Sequence, residues 1–234
     1  MDKIGILGYG EVGKAVAKFY QNPRIKNTDR NDGLWGVDIL HICIPYNKKF
    51  IKIVKKEIAE IKPKLTIIHS TVAPGTTKKI GGAIVHSPIR GIHPDLYKGI
   101  KTFLKYIGTD NKIAGKMARQ HFKKLGLKTK VFTPSTTTEL GKLLSTSYYG
   151  LCIAYHGEAE KIRKKHGVKW KDTMTDFNRT YNNGYKELDL KKVIRPILYP
   201  PTNNKIGGHC VIQNAKLLRK HFRSKALDLI LKYK

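Results

Sequence analysis

The sequence predicts an α/β fold: a doubly wound parallel sheet, followed by a long central helix and a small helical domain. Three observations carry that expectation. The opening "KIGILGYGEVGKAVAKFY" reads as strand, glycine turn and helix; apolar runs then alternate with amphipathic ones as far as Pro134; and an unbroken helical pattern, the longest in the chain, follows.

The opening segment fixes the type of sheet. Gly8, Gly10 and Gly13 form a GxGxxG turn, and Val12, Ala15, Val16 and Phe19 follow at helical spacing. A dinucleotide turn needs glycines at these places: the first makes the bend, the second lets backbone approach a pyrophosphate, and the third lets helix and strand pack closely. Asp29 follows about 20 residues on, where the ribose hydroxyls of such a cofactor are held. These features predict a Rossmann-type NAD-binding domain. Arg30, directly after Asp29, leaves room for a 2′-phosphate, so NAD over NADP is a preference.

"VDILHICIPY" and "LTIIHSTV" are runs expected of parallel strands covered on both faces. Between them "KKFIKIVKKEIAEI" reads as an amphipathic crossover helix with Phe50, Ile53, Ile58 and Ile61 on one side. "GAIVHSP", "FLKYIGTD" and "KTKVFT" supply shorter strands, and "KIAGKMARQHFKKL" another helix. Cys43, inside a strand, reads as a core thiol. This first domain is expected over 1–134.

The helical pattern after it is assigned to a central linking and dimerisation helix over 135–165, capped by Ser135 or one of the next threonines and stopped by Gly167. Leu140, Leu143, Leu144, Tyr148, Leu151 and Tyr155 form its apolar stripe. Lys142 and Thr146 share a face; a helix lysine is ordinarily a solvated charge. Cys152 and His156 have the spacing of a metal pair but no third ligand, so helix packing is the reading for both and no metal site is expected. Residues 166–234 form the small helical domain, which carries "GGHC".

Composition bounds the function. Forty-six Lys+Arg against 17 Asp+Glu give a formal charge of +29, a surface that draws polyanions. The basic residues are spread along the chain, and no nucleic-acid-binding motif accompanies them, so a solvated surface is favoured over a nucleic-acid partner. Three cysteines, Cys43, Cys152 and Cys210, form neither a CxxC pair nor an even set, as expected of reduced thiols. Apolar runs fall short of the ~20 residues of a membrane span, and the acidic start is unlike a signal peptide. A cytoplasmic protein without membrane association is expected.

Five segments then add up to a family: "GYGEVG", "HICIPY", "HSTVAPGTT", "ELGKLLSTSYYGLCIAYHGE" and "RPILYPPTNNKIGGHC". In this order and spacing they resemble the UDP-glucose/GDP-mannose dehydrogenase family from residue 1 to about residue 220. The glycine motif is generic; the pairing of "STVAPGTT" with a late "GGHC" is more specific. The resemblance implies a dinucleotide domain, a long dimerisation helix, a homodimer, and oxidation of a sugar alcohol to the acid in two NAD-dependent steps. It implies that Cys210 attacks the intermediate aldehyde, giving a thiohemiacetal and then a thioester that water hydrolyses. Lys142 matches the family lysine that stabilises oxyanions at the reacting carbon. Thr71 matches the threonine near the nicotinamide and catalytic water. The implied cofactor contacts are Gly8, Gly10, Glu11, Val12, Gly13, Asp29, Pro45 and Thr71. On the substrate side are Lys142, Thr146, Arg195, Tyr199, Gly207 and Gly208, with an anionic small molecule, such as a nucleotide sugar, as partner.

The chain departs from that pattern in three places. The family asparagine after the lysine is Thr146, the aspartate after the cysteine is Asn214, and the glutamate of an "SPE" segment is Ile89, which removes a general base. Thr146 and Asn214 remain in the expected catalytic set. Only residues 211–234 follow Cys210, where the family places a third domain, and a domain commonly needs ~50 residues or more. A short form without the nucleotide-sugar clamp is therefore expected, with Arg90 and His93 of "RGIHP" available to hold an anion. Two other readings stay open: a one-step hydroxyacid dehydrogenase using Lys142 as acid/base, and a non-catalytic NAD- or nucleic-acid-binding protein.

Overall fold

The computed structural model describes residues 2–234 and divides into two compact units, Met1–Lys142 and Leu143–Lys234. In the first, the strands are β1 (Ile4–Leu7), β2 (Arg24–Lys26), β3 (Ile39–Ile42), β4 (Leu65–Ile68), β5 (Ile84–His86), β6 (Lys105–Gly108) and β7 (Thr129–Phe132). Among the described residues they form one sheet in the order β2-β1-β3-β4-β5-β6-β7. The first five run parallel.

β5 and β6 meet antiparallel at His86 and Gly108, and β6 and β7 are parallel to each other. The last two strands therefore run against the other five, so the expected doubly wound sheet is mostly parallel. An apolar run such as "FLKYIG" marks a covered strand but carries no direction.

Both faces of the sheet are covered, as the unbroken apolar strands require. Ile4, Ile6, Ile39, Leu65 and Ile67 pack with α1 (Glu11–Ala17), α4 (Leu96–Thr102) and α5 (Lys112–Lys124). Leu7, Leu40, Ile42, Ile68 and Ile84 pack on the other side with α2 (Phe50–Ile61) and α3 (Thr76–Ile80). Alternate residues of one strand thus feed two cores. Ile6, Ile67 and Ile107 are fully buried, each contributing about 1.5–3 kcal/mol by removal from water.

α6 (Thr136–Lys165) contributes to both units. Ser135 does not spend its hydroxyl on capping this helix; it donates to Asp110 Oδ2 at 2.5 Å. Gly167, at φ +64°, follows the helix end in the left-handed conformation that a side chain disfavours. The second unit continues with a π-helical turn (Lys171–Asp176), α7 (Phe177–Glu187), α8 (Cys210–Arg219) and α9 (Lys225–Lys232).

The apolar stripe of α6 is packed only in part: Leu143 is fully buried. Leu144, Tyr148 and Tyr155 are more than half exposed. Farther along, glycines make the closest contacts: a Cβ on Gly150 would lie 2.4 Å from Val211 Cγ1, and one on Gly157 would lie 2.4 Å from Tyr233 Cε1. Close approach of α8 and α9 takes the place of large side chains there. Gly157→Ala is expected to destabilise by about 2 kcal/mol, lowering Tm by roughly 5 °C, because overpacking outweighs the ~1 kcal/mol helix preference for alanine. A thermal melt showing a raised Tm would refute this.

Candidate active site

The spatial order of the strands reverses at β1, which has β2 on one side and β3 on the other. Ligands of open α/β sheets bind outside the carboxyl ends of the strands at such a reversal. The glycine turn sits there, and its three glycines differ in surroundings. Gly8, at φ +95°, lies so close to β3 that a Cβ would meet the Cys43 carbonyl carbon and the Ile44 nitrogen at 2.8 Å. A Cβ on Gly13 would lie 2.1 Å from the Gly8 oxygen. Both are filled by the protein's own backbone. Gly10 has nothing within 4 Å of its Cβ direction; it precedes α1, whose first residue is Glu11. An open glycine at a helix start, between two closed ones, fits a pyrophosphate that approaches backbone N–H groups.

The other expected cofactor residues lie on the same edge. Pro45 follows β3 and the half-buried Thr71 follows β4. Ser70 ties these two loops together by donating to the Ile44 carbonyl at 2.6 Å. Half-buried Val12 packs against the core from α1. Asp29 is exposed in the turn after β2. Arg30 forms a two-point contact with Asp32, at 2.8 and 3.0 Å from Nε, and Asp32 also accepts from the Ile25 N–H. Glu11 is paired with His93. Arg90 stacks on Tyr106 at 4.3 Å and donates to the Leu104 carbonyl.

Lys142 reaches this edge from α6, its Nζ donating to the Ile89 carbonyl at 3.0 Å. Ile89 itself is buried in the core, so an apolar side chain occupies the position where the resemblance implies a carboxylate. What brings α6 here is Glu139, a fully buried residue that the sequence reading passed over. Its carboxyl accepts from the Gly75 N–H at 2.5 Å, the Thr77 N–H at 2.8 Å and the Thr77 hydroxyl at 2.7 Å. "APGTT" is thus the start of α3, capped by a residue from another helix.

Beneath the edge lies a buried polar chain. Tyr20 Oη is 2.7 Å from His121 Nε2 and 3.0 Å from His41 Nε2; His41 Nδ1 is 2.9 Å from His69 Nε2; His69 Nδ1 is 3.0 Å from the Ser87 carbonyl. Among the described residues no group of three His, Cys, Asp or Glu side chains is arranged to hold a metal. Burial drives His41 and His69 well below the ordinary histidine range, His86 to about 3 and His121 to about 4. Burial also pushes the Cys43 thiol up to about 12, as befits a core thiol.

These shifts carry a sign. The folded state favours neutral rings, whereas the unfolded chain binds protons near pH 6.5, so stability present above about 6.5 is lost as pH falls toward 4. We expect Tm to drop by about 5 °C or more between pH 6.5 and 4.5, above the midpoints at which ordinary carboxylates titrate. A Tm independent of pH in that interval would contradict the buried neutral chain.

The second unit holds the remaining expected residues. Thr146 is half-buried on α6. Cys210 is half-buried and opens α8, the helix end whose N–H groups favour negative charge. Gly207 and Gly208 are exposed with open Cβ directions, and Gly208 takes φ +78°. The turn is anchored by the Ile206 N–H, which donates to the Tyr233 carbonyl at 2.7 Å. Asn214, one turn along α8, is buried, and its Nδ2 has no partner among the described residues. Arg195 lies over Tyr181 at 4.3 Å and Tyr185 at 5.2 Å, its backbone held on both sides by Asn182. Its Nη1 is buried without a partner among the described residues. Tyr199 is largely exposed. Tyr181 and Tyr185 had a sequence signal, aromatic residues four apart on a helix, but nothing in the sequence connects them to Arg195.

The sheet, its reversal point and the open Gly10 define an α/β protein of the dinucleotide-binding type, and the cradle fits NAD. No family model matches the chain. A curated UDP-N-acetyl-D-mannosamine dehydrogenase from Pyrococcus horikoshii is 22% identical over 232 residues, covering 89% of this chain and 52% of that protein. The solved UDP-D-ManNAc dehydrogenase from Pyrococcus horikoshii aligns at a TM-score of 0.78 and 19% identity, over 99% of this chain and 68% of that one. A 3-hydroxyisobutyrate dehydrogenase from Mycobacterium tuberculosis aligns at a TM-score of 0.71 and 14% identity, over 99% of this chain and 91% of that one. In sequence the chain is similar to UDP-N-acetyl-D-mannosamine dehydrogenases, and it shares their fold. It spans about half the length of the curated relative that it matches.

Proposed function

We propose that the chain is an NAD-dependent dehydrogenase acting on the primary alcohol of an anionic, nucleotide-sugar-type substrate, and that it carries the alcohol to the acid through Cys210. The observation that carries this reading is the open Gly10 at the sheet reversal, with Lys142 held on the same sheet edge through Ile89. Gly8, Gly10, Glu11, Val12, Gly13, Asp29, Pro45 and Thr71 hold the cofactor in this reading. NAD, when bound, supplies the two-electron acceptor for each oxidation. Arg30 is already paired with Asp32, which favours NAD over a 2′-phosphorylated cofactor.

Lys142 takes the proton of the alcohol in the first oxidation. Cys210 Sγ, having given its proton to water, then bonds to the aldehyde carbon, and Lys142 with Thr146 holds the resulting oxyanion. The second oxidation turns that carbon into a thioester. Water attacks it, the C–S bond breaks, and the acid and the thiol are released. Asn214 presents an amide where the family has a carboxylate, so release is the step this chain alters. Arg195 and Tyr199 contact the substrate's anionic part, and Gly207 and Gly208 let backbone approach it. The exposed Leu144, Tyr148 and Tyr155 of α6 form the homodimer contact. Cytoplasmic location is part of the same reading; among the described residues no helix is long and apolar enough to cross a membrane.

The test is stoichiometric. The protein is screened with NAD against UDP-N-acetyl-D-mannosamine, UDP-glucose, sugar phosphates and hydroxyacids, and NADH is counted per substrate consumed. Two equivalents support the proposal. One equivalent favours a one-step oxidation by Lys142, for which Cys210 is not needed. NAD binding without turnover on any of them overturns both.

A further inference from the structure

Lys105, the first residue of β6, is only 4% exposed. A buried ammonium must be compensated. No carboxylate among the described residues pairs with it; its Nζ instead donates to the carbonyls of Ser87 at 2.6 Å and Pro88 at 3.1 Å. It lies 3.4 Å from His69 Nδ1 and 5.6 Å from the centre of the Phe122 ring. Those two carbonyls are the exit of β5, and the next one, of Ile89, accepts from Lys142.

The imidazole chain next to Lys105 has two internally consistent proton arrangements. When His69 Nδ1 donates to the Ser87 carbonyl, its Nε2 must accept from His41 Nδ1. His41 Nε2 then accepts from the Tyr20 hydroxyl, and Tyr20 accepts from His121 Nε2. Every donor points away from His121, which lines a cleft of about 140 Å³ together with Asp2, Asp38, Lys64 and Lys124. In the reversed arrangement His69 Nδ1 is bare and accepts from the Lys105 ammonium. Going from the first to the second takes one proton up at His121 Nδ1, shifts the protons of His121 Nε2, Tyr20 Oη and His41 Nδ1 one link along to Tyr20 Oη, His41 Nε2 and His69 Nε2, and passes the His69 Nδ1 proton to Lys105 Nζ.

We propose that Lys105 is a positioning residue for Lys142, acting through the carbonyls of residues 87–89, and that its proton is exchanged with water through His69, His41, Tyr20 and His121. The proposal rests on the reading of Lys142 as the reaction-site lysine. The charged and titratable groups facing Lys105 are His41 in β3, Cys43 after it, His69 after β4, His86 in β5, Arg90 beyond it and Lys142 from α6. Burial brings Lys105 down to about 7, Lys142 and Arg90 add to this, and Cys43 opposes it. Coupling is reciprocal, so ionisation of Lys105 is felt at Lys142.

The experiment follows lysine Cε resonances of the full chain, labelled with ¹³C-lysine, as pH is varied. One lysine is expected to titrate near neutrality, and Lys142 to show a small step in the same interval; Lys105→Met should remove both. A wild-type protein in which every lysine titrates above about pH 9 overturns the proposal, even if Lys105→Met fails to fold. A Lys142 step that survives Lys105→Met overturns it as well. Tyr20→Phe should slow solvent exchange of the Lys105 ammonium about tenfold or more, and an unchanged rate overturns the path. In turnover, kcat should inflect in that interval and lose the inflection in Lys105→Met, with KM for NAD within about twofold. Coupled Cε steps without any kcat inflection support the coupling and overturn the catalytic role of Lys142.

Discussion

Cys210→Ser is expected to stop oxidation at the aldehyde: NADH per substrate falls from two to one, and the second step slows about 10³-fold or more. A cysteine is a few per cent thiolate at pH 7 and intrinsically very nucleophilic, whereas a serine hydroxyl without an adjacent base is neither. In the proposed mechanism the first step uses Lys142, and it should survive. Because Cys210 lies on α8, outside the glycine turn and the strand-edge loops, NAD affinity should stay within about twofold. Trapping the product with a carbonyl reagent and counting NADH measures both quantities. Two equivalents from the variant would exclude a covalent role for Cys210.

Glu139→Ala is the second large effect, and it acts on stability. The change strands the Gly75 and Thr77 N–H groups and the Thr77 hydroxyl together, in a place where Thr77 is 1% exposed and water does not replace the lost acceptor. Buried donors left without a partner cost about 1–3 kcal/mol each, so a loss of about 4 kcal/mol is expected, a large share of the 5–15 kcal/mol of an ordinary domain. Glu139→Gln keeps one acceptor oxygen and should lose about half as much. Urea unfolding gives the values, and a loss below about 1 kcal/mol for the alanine variant would show that the three contacts do not hold α6 to α3.

The parts of the fold that could be read from the sequence are those in which neighbouring residues decide the outcome. Gly8, Gly10 and Gly13 are one turn of chain, and their three different surroundings follow from positions within it. The fully covered strands were legible because both faces read apolar. The opposite direction of β6 was not, since pleat and hydrophobicity are the same in either sense. Glu139 looks like an ordinary acidic residue in a first helical turn. Its partners are more than sixty residues away, at Gly75 and Thr77. Lys105 looks like a solvated lysine until β7 and α5 cover it. The apolar stripe of α6 showed Leu143, which is fully buried, but not the contacts at Gly150 and Gly157, since glycines carry no hydrophobic signal.

Those glycines also set a register. Gly150 and Gly157 are notches two helical turns apart, about 10.5 Å along α6; Val211 and Ile230 seat in the first and Tyr233 in the second. Tyr233 also passes its carbonyl to the Ile206 N–H, just before Gly207. The long helix therefore works as a ruler: sliding α9 by one residue would empty a notch and drag the turn before Cys210 with it. The position of the thiol is gauged against α6 through Tyr233, so a substitution at that tyrosine, far along the chain from any reacting atom, would be read at Cys210 as a change of address.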